Sequence, residues 1–365
     1  MQPINLFDYA QAARTQLDPV VFDYYAGGAL DEITLGENHA AYDRLRLQYR
    51  VLAGVTAADL TTTVLGQAVS MPILVAPTAF HKMAHADGET GAARAAASAG
   101  TVFILSSLSN TAMEPVFAAC TGPRWFQLYI YKDRGITREL IARAEAAGAQ
   151  AIVLTVDAPV WGTREKDVRN GFKLRPGLSV ENVVPAGKGD FPKVEGSGLA
   201  AYVNSMFDGS LSFRDIEWLC ANTRLPVIVK GVCHPDDALR SADAGAKAVV
   251  VSNHGGRQLD TCPATIEVLP EITEALAGRI ETYVDGGVRR GTDVIKALAF
   301  GARAVLLGRP VLWGLAVDGE KGVANVLELM RREFSDALAL CGCSRVGQVS
   351  RELIWRNQGH KEIRP

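Results

Sequence analysis

From about residue 70 onward one unit recurs: an Ala-rich stretch, a glycine, a short link, then a run of branched apolar residues. Ala95-Ala96-Ala97-Ser98-Ala99-Gly100 precedes Val102-Phe103-Ile104-Leu105, and Ala144-Glu145-Ala146-Ala147-Gly148 precedes Ile152-Val153-Leu154. Asp243-Ala244-Gly245 leads to Val249-Val250-Val251, and Ala297-Leu298-Ala299-Phe300-Gly301 leads to Val305-Leu306-Leu307. Glycine closes a helix by entering the left-handed region without a Cβ penalty, and an uninterrupted apolar run suits a parallel strand covered on both faces. Completing the pattern places strands near 72–77, 102–106, 125–129, 151–156, 226–230, 247–252, 281–285 and 303–307, with helical stretches between them. Eight such units in roughly 250 residues predict an α/β fold of the closed (β/α)₈ TIM barrel type. An open doubly wound sheet would carry a Gly-rich turn after its first strand; Ala76-Pro77-Thr78-Ala79 stands there instead.

The 365 residues therefore read as a single barrel domain, 1–365, with two segments outside the repeating units. Residues 1–70 form an N-terminal cover with an amphipathic start (Leu6, Tyr9, Ala13, Leu17), the tract Asp23-Tyr24-Tyr25-Ala26-Gly27-Gly28, and a hairpin around Thr61–Val69. Residues 165–215, after strand four, are rich in Gly, Pro, Ser and Asn and read as a lid-like insertion or a disordered loop. A further helix is expected over 320–341. Together with the Ala-rich barrel helices it offers faces for other subunits.

A hydrophobic fraction of 48% supports a large core, and 38 basic against 40 acidic residues leave no broad field for nucleic acid or an anionic membrane. No apolar stretch approaches the roughly 18 residues of a membrane span. The six cysteines lack Cys-x-x-Cys spacing, so free thiols are expected, with no metal and no disulfide framework. The first residues, Met-Gln-Pro-Ile-Asn, do not read as a secretory leader, and Ile363-Arg364-Pro365 is not a peroxisomal tripeptide; a cytoplasmic location is expected.

In a (β/α)₈ barrel the loops after the strands converge on one mouth, where reacting groups sit. The expected strands end in Pro77-Thr78, Ser106, Gln127 with Tyr129, Thr155 with Asp157, Lys230, Ser252 with His254, Asp285, and Gly308-Arg309. Asp285-Gly286-Gly287-Val288-Arg289-Arg290-Gly291 and Gly308-Arg309, at strands seven and eight, have the ingredients of a phosphate site: close backbone approach at glycine and paired guanidinium charge. Ser252-Asn253-His254-Gly255-Gly256-Arg257-Gln258-Leu259-Asp260 puts a proton-transfer group and a carboxylate fork three residues apart. Asp157 is positioned to hold the second nitrogen of the His254 imidazole. Lys230 is either a snorkelling lysine or a stabiliser of negative charge on a bound ring. His39, His81, His85, His234 and His360 read as packed or surface histidines.

These tracts, with Tyr24-Tyr25-Ala26-Gly27-Gly28, Gln127-Leu128-Tyr129, Leu154-Thr155-Val156-Asp157 and Val229-Lys230-Gly231, resemble the FMN-dependent L-2-hydroxy-acid oxidases, the glycolate oxidase and L-lactate oxidase type, over essentially the whole chain. The resemblance implies FMN across the barrel mouth. Ala76, Pro77, Thr78, Ala79, Ser106, Gln127 and Thr155 would contact the isoalloxazine, with Lys230 and Ser252 beside it. Asp285 would hold the ribityl chain, and Gly286, Gly287, Arg289, Gly308 and Arg309 the phosphate. It implies catalytic roles for His254 as base, Asp157 beside it, and Tyr129 and Tyr24; Arg257, Tyr24 and Arg164 would bind the substrate carboxylate. Small L-2-hydroxy acids would be oxidised to 2-oxo acids, with dioxygen reduced to hydrogen peroxide, in a homotetramer or octamer. A dehydrogenase of the same family that passes electrons to a quinone, or an oxidase for larger or aromatic 2-hydroxy acids, are the alternatives.

Two positions depart from the plant-type glycolate oxidases, which resemble this chain but carry Trp at the position of Leu108 and a smaller aliphatic residue at that of Trp161. Some bacterial and cyanobacterial lactate oxidases share Leu108 but have Met where Thr78 stands. Loss of an indole makes room for at least a methyl group, which implies L-lactate alongside glycolate.

Overall fold

The computed structural model describes residues 3–187, 190 and 198–355. His360, the terminal Ile363-Arg364-Pro365 and parts of the 165–215 insertion lie outside the described residues. Two short strands, β1 (Thr62–Val64) and β2 (Gln67–Val69), pair antiparallel as a hairpin. Eight more follow: β3 (Ile73–Val75), β4 (Phe103–Ser106), β5 (Arg124–Leu128), β6 (Ile152–Thr155), β7 (Val227–Val232), β8 (Ala248–Val251), β9 (Glu281–Val284) and β10 (Ala304–Leu307). They pair in parallel and in sequence, and β10 closes on β3 with Val305 opposite Ile73 and Leu307 opposite Val75. The eight strands anticipated from the apolar runs are these, each within a few residues of its expected bounds.

Side chains alternate across each strand, and the barrel divides its residues accordingly. Leu74, Ile104, Trp125, Val153, Ile228, Val250, Tyr283 and Leu306 fill the interior. Val75, Leu105, Phe126, Leu154, Val229, Val251, Val284 and Leu307 pack outward under the helices. The hairpin plugs the amino-terminal end: Val64 and Val69 join the interior cluster, and Trp125 Nε1 donates to Gln67 Oε1 at 3.2 Å. That end is sealed. Two residues further along each strand, the interior parity falls on Ala76, Ser106, Gln127, Thr155, Lys230, Ser252, Asp285 and Gly308 at the opposite, carboxyl-terminal mouth. Strand register, rather than any one motif, selects which side chains converge there.

The N-terminal cover consists of three helices, Leu6–Gln16, Pro19–Ala26 and Ile33–Arg44. The first starts where Asn5 accepts from the Phe7 and Asp8 amides, and the second where Asp18 accepts from Val20 ahead of a proline in the first turn. The third has no cap of its own. Asp260, at the end of the Ser252–Asp260 tract, accepts instead from the Asp31, Ile33 and Thr34 amides at 3.1, 3.4 and 2.9 Å. Burial would raise that carboxyl, but the backbone donors hold it below the ordinary value.

The segment after β6 is packed where it is described. It carries helices Glu165–Arg169 and Gly198–Met206, with Phe172, Val180, Leu199, Tyr202 and Val203 buried. The helix expected over 320–341 starts earlier and runs Arg309–Leu340, breaking at Asp318–Gly319, where the backbone leaves helical geometry. The six cysteines are free. Among the described residues no helix is long and apolar enough to cross a membrane.

Candidate active site

The mouth of the barrel opens into a cleft that is partly open to solvent. It is lined by most of the residues singled out in the sequence: Tyr24, Ala76, Pro77, Thr78, Ala79, Ser106, Leu108, Gln127, Tyr129, Thr155, Trp161, Arg164, Lys230, His254, Arg257, Asp285, Gly286, Gly287, Arg289, Gly308 and Arg309. Asp157 and Ser252 stand behind this surface, each bonded to a residue that lines it.

His254 sits in the left-handed region (φ 57) and lines the mouth. Its Nδ1 lies 2.8 Å from Asp157 Oδ1. Burial lowers the His254 pKa, Asp157 pulls it up, and Lys230 and Arg164 push it down again, so that it ends below its ordinary value. Burial would raise the Asp157 carboxyl, but His254 and Lys230 outweigh it and hold it low. The resting pair is therefore a neutral imidazole whose Nδ1–H donates to an ionised carboxylate, which leaves Nε2 as an acceptor. Asp157 fits because position 231 is glycine: a Cβ there would stand 2.6 Å from the Asp157 side chain, and the residue adopts φ +109 beside a register shift in β7.

Lys230 is not a snorkelling lysine. It is buried, with Nζ 3.0 Å from Asp285 Oδ2 and donating to Ser252 Oγ at 2.8 Å. Burial opposes its charge, but Asp285 and Asp157 raise its pKa above the ordinary value. Along the floor, Ser106 Oγ donates to Gln127 Oε1 at 3.2 Å and Gln127 Nε2 donates to Thr155 Oγ1 at 3.0 Å. Fixed donors and acceptors thus line one edge of the cleft.

Four arginines gather above this floor. Arg257 Nη1 donates to the Tyr24 and Gly27 carbonyls at 2.6 and 2.8 Å, and its guanidinium lies over the Tyr24 ring. Arg309 spends three donors on the Tyr25, Gly255 and Gly27 carbonyls, so it clamps the N-terminal cover to the mouth as well as facing the cleft. Arg164, only 3% exposed, stacks on the Trp161 ring at 3.8 Å and has Asp167 at 4.0 Å. Burial, reinforced by Arg257, pushes its pKa down to about 9. Burial likewise pushes Arg289 down to about 10 and Arg309 well below the usual range, the latter reinforced by Arg257 and Arg289. Such a cluster of cations, one buried and three partly buried, is costly without anions.

Whether FMN suits this cleft can be judged from its own unmet groups. Asp285 Oδ1 is buried with no partner among the described residues, an acceptor placed for a hydroxyl donor. Gly286 and Gly287 both have positive φ, and a Cβ on Gly287 would stand 1.8 Å from the Asn38 carbonyl oxygen, so the turn beside Arg289 must be glycine. A narrow cation-walled turn at one end and a hydrogen-bonding floor at the other fit a phosphate joined through a polyol to a planar heterocycle.

The family model for FMN-dependent dehydrogenases matches residues 13–356. The chain belongs to the FMN-dependent dehydrogenase family. It is 50% identical to the L-lactate oxidase of Nostoc sp. (strain PCC 7120) over 357 residues, covering 96% of this chain and 98% of that one. It is 49% identical to the glycolate oxidase of Spinacia oleracea over 354 residues, with 97% and 96% covered. Among solved structures, a mandelate oxidase with (S)-4-hydroxymandelic acid superimposes with a TM-score of 0.91 at 40% identity, covering 97% of this chain and 98% of that one. The cofactor of this family member is FMN.

Several residues of the site were given no role from the sequence. Tyr25, Gly255, Val288, Leu306 and Leu312 also line the cleft. Leu306 was reachable, since strand alternation puts it on the same face as Gly308. Gln258, quoted in the tract but given no role, donates to the Asp157 and Val160 carbonyls at 2.8 and 3.0 Å and ties the two loops together. Phe172 stacks on Tyr24 at 4.0 Å and 11°; nothing in its local sequence signals that contact.

Proposed function

We propose that this protein is an oxidase of small L-2-hydroxy acids, taking L-lactate and glycolate to their 2-oxo acids with reduction of dioxygen to hydrogen peroxide. The observation that carries the reading is the neutral His254, tied through Nδ1 to Asp157, facing a cleft whose other walls are Arg257, Arg164, Tyr24 and Tyr129. A 2-hydroxy acid has one carboxylate, one hydroxyl and one α-hydrogen, and this wall offers a group for each.

Arg257 and Arg164 receive the carboxylate, relieving the repulsion between the two guanidinium groups. Tyr24 and Tyr129, whose phenols burial holds protonated well past neutral pH, act as hydrogen-bond donors, Tyr129 to the substrate hydroxyl. His254 Nε2 accepts one substrate proton, from carbon or from hydroxyl according to the route, and Asp157 stabilises the imidazolium that results. The chemistry that bound FMN supplies is acceptance of two electrons from the substrate, with reoxidation by dioxygen. Lys230 holds a buried positive charge at the cofactor side of the cleft, suited to negative charge that develops there. Asp285 would hold ribityl hydroxyls, and the Gly286–Arg289 turn with Gly308 and Arg309 would hold the phosphate.

Leu108 and the Arg164-stacked Trp161 border the space for the substrate side chain. One methylene in such a pocket is worth about 1–3 kcal/mol of discrimination, so both glycolate and L-lactate are expected to turn over. A steady-state comparison of glycolate, L-lactate, D-lactate, longer 2-hydroxy acids and mandelate tests this. Preference for L-lactate and glycolate supports it, and preference for mandelate favours the aromatic alternative raised by the mandelate oxidase fold match. The free cysteines suit a reducing compartment such as the cytoplasm. Exposed Tyr49, Val51 and Leu52 support assembly as a homo-oligomer.

A further inference from the structure

One buried imidazole, behind Thr78 and outside the lining of the cleft, takes no part in the chemistry above. His81 opens the short helix His81–Ala84, directly after Phe80 in the left-handed region, and is 1% exposed. Its backbone amide donates to the buried Glu89 carboxylate at 3.1 Å, and its ring meets Phe103 edge-on at 6.3 Å and 82°. Nε2 lies 2.7 Å from Thr78 Oγ1, and the ring also has a hydrogen bond to the Thr78 backbone. Nδ1 is buried with no partner among the described residues.

These contacts assign the tautomer. Burial keeps the ring neutral, its pKa below the ordinary value, so it carries one proton. Placed on Nδ1, that proton would be a donor buried without an acceptor, and Nε2 would present a lone pair to the Thr78 backbone carbonyl. Placed on Nε2, it is shared with the Thr78 oxygens and leaves only a bare lone pair at Nδ1, the cheaper arrangement. Thr78 Oγ1 is therefore the acceptor, and its own proton is unspent: among the described residues the hydroxyl donates to nothing else. The Thr78 methyl lies 3.4 Å from where a Cβ on Gly308 would stand. Thr78 lines the cleft, so this unspent proton is available to an acceptor bound there.

We propose that His81 is a positioning residue for the cofactor: by donating from Nε2 to Thr78 it locks the Thr78 hydroxyl as a hydrogen-bond donor to an acceptor atom on the edge of the bound isoalloxazine. The inference rests on the reading that the isoalloxazine lies against Ala76–Ala79. It concerns FMN binding and not the choice of hydroxy acid.

The test is titration of apoprotein with FMN by quenching of flavin fluorescence, with the visible spectrum of each complex. Thr78→Val and His81→Leu are each expected to weaken FMN binding about five- to tenfold, the worth of one hydrogen bond, and to move the visible band in the same direction. The double variant should bind no more weakly than either single one, because both remove the same interaction. Thr78→Ser and His81→Gln, which keep a hydroxyl and an N–H donor, should stay within about twofold of wild type. Additive losses in the double variant, or wild-type binding by Thr78→Val, overturn the proposal. Where His81→Leu does not fold by circular dichroism, the Thr78 pair decides alone, and equal binding by Val and Ser overturns it. Failure of the wild-type chain to bind FMN would instead overturn the functional reading beneath it.

Discussion

Replacing Asp157 with asparagine isolates the charge behind the base. The carboxylate is 2.8 Å from His254 Nδ1 and its side chain is 12% exposed, so solvent screens the pair little. Asparagine keeps an oxygen that can accept from Nδ1–H, but not the negative charge that stabilises the imidazolium formed when Nε2 takes the substrate proton. A hydrogen bond to a charged group is worth about 1.5–3 kcal/mol, and about 1.4 kcal/mol is a factor of ten in rate. The expected result is a fall in kcat of about 10- to 100-fold. KM for the hydroxy acid should change little, because Arg257 and Arg164 are untouched. The pH profile adds a second signature. The base works only when neutral, so activity is lost as pH falls through the His254 pKa, which burial already holds below the ordinary 6.5. Asp157 opposes that lowering, and its removal lowers the pKa further. The acid limb of kcat/KM should therefore move to lower pH while the plateau drops. Stopped-flow and steady-state rates over pH 4.5 to 8 would show both effects. An unchanged plateau, or an acid limb displaced to higher pH, would refute the assigned coupling.

Arg257→Lys keeps a charge but loses the planar fork and the two carbonyl contacts that hold Tyr24 and Gly27; steady-state kinetics should show KM raised about 10- to 100-fold, with kcat less affected. Gly287→Ala forces a Cβ to within 1.8 Å of the Asn38 carbonyl at φ +89. Left-handed strain and overpacking together cost about 2–5 kcal/mol, so thermal melting should show a lower Tm and purification should give a flavin-depleted protein. A Tm and flavin content equal to wild type would mean that the turn has more room than described.

The strands were legible because parallel barrel strands are buried on both faces and announce themselves as apolar runs such as Val249-Val250-Val251. The site was legible for a related reason: register carries the residue after each run onto the barrel interior, as Lys230 follows Ile228 and Asp285 follows Tyr283. What the sequence does not carry is the partner of each group. Lys230 stood equally for surface or site until Asp285 and Ser252 were seen against it. Asp260 looked like the end of a motif, yet its work is to cap a helix 226 residues away through Thr34. Arg309 looked like a phosphate ligand, yet much of its donor capacity secures the N-terminal cover. His81 read as a packed histidine, which it is, but its bond to Thr78 depends on the Phe80 turn. Contacts between distant segments leave no local pattern, and these positions depend on them.

The central claim is that the cleft oxidises small L-2-hydroxy acids at the expense of dioxygen. It is tested most directly by following L-lactate and glycolate turnover in air and under argon, measuring 2-oxo acid, hydrogen peroxide and reduction of an added dye together. The account predicts one peroxide per 2-oxo acid in air, and turnover that stops under argon unless dye is supplied. Dye-linked turnover at the same rate with and without oxygen, and no peroxide in air, would contradict it.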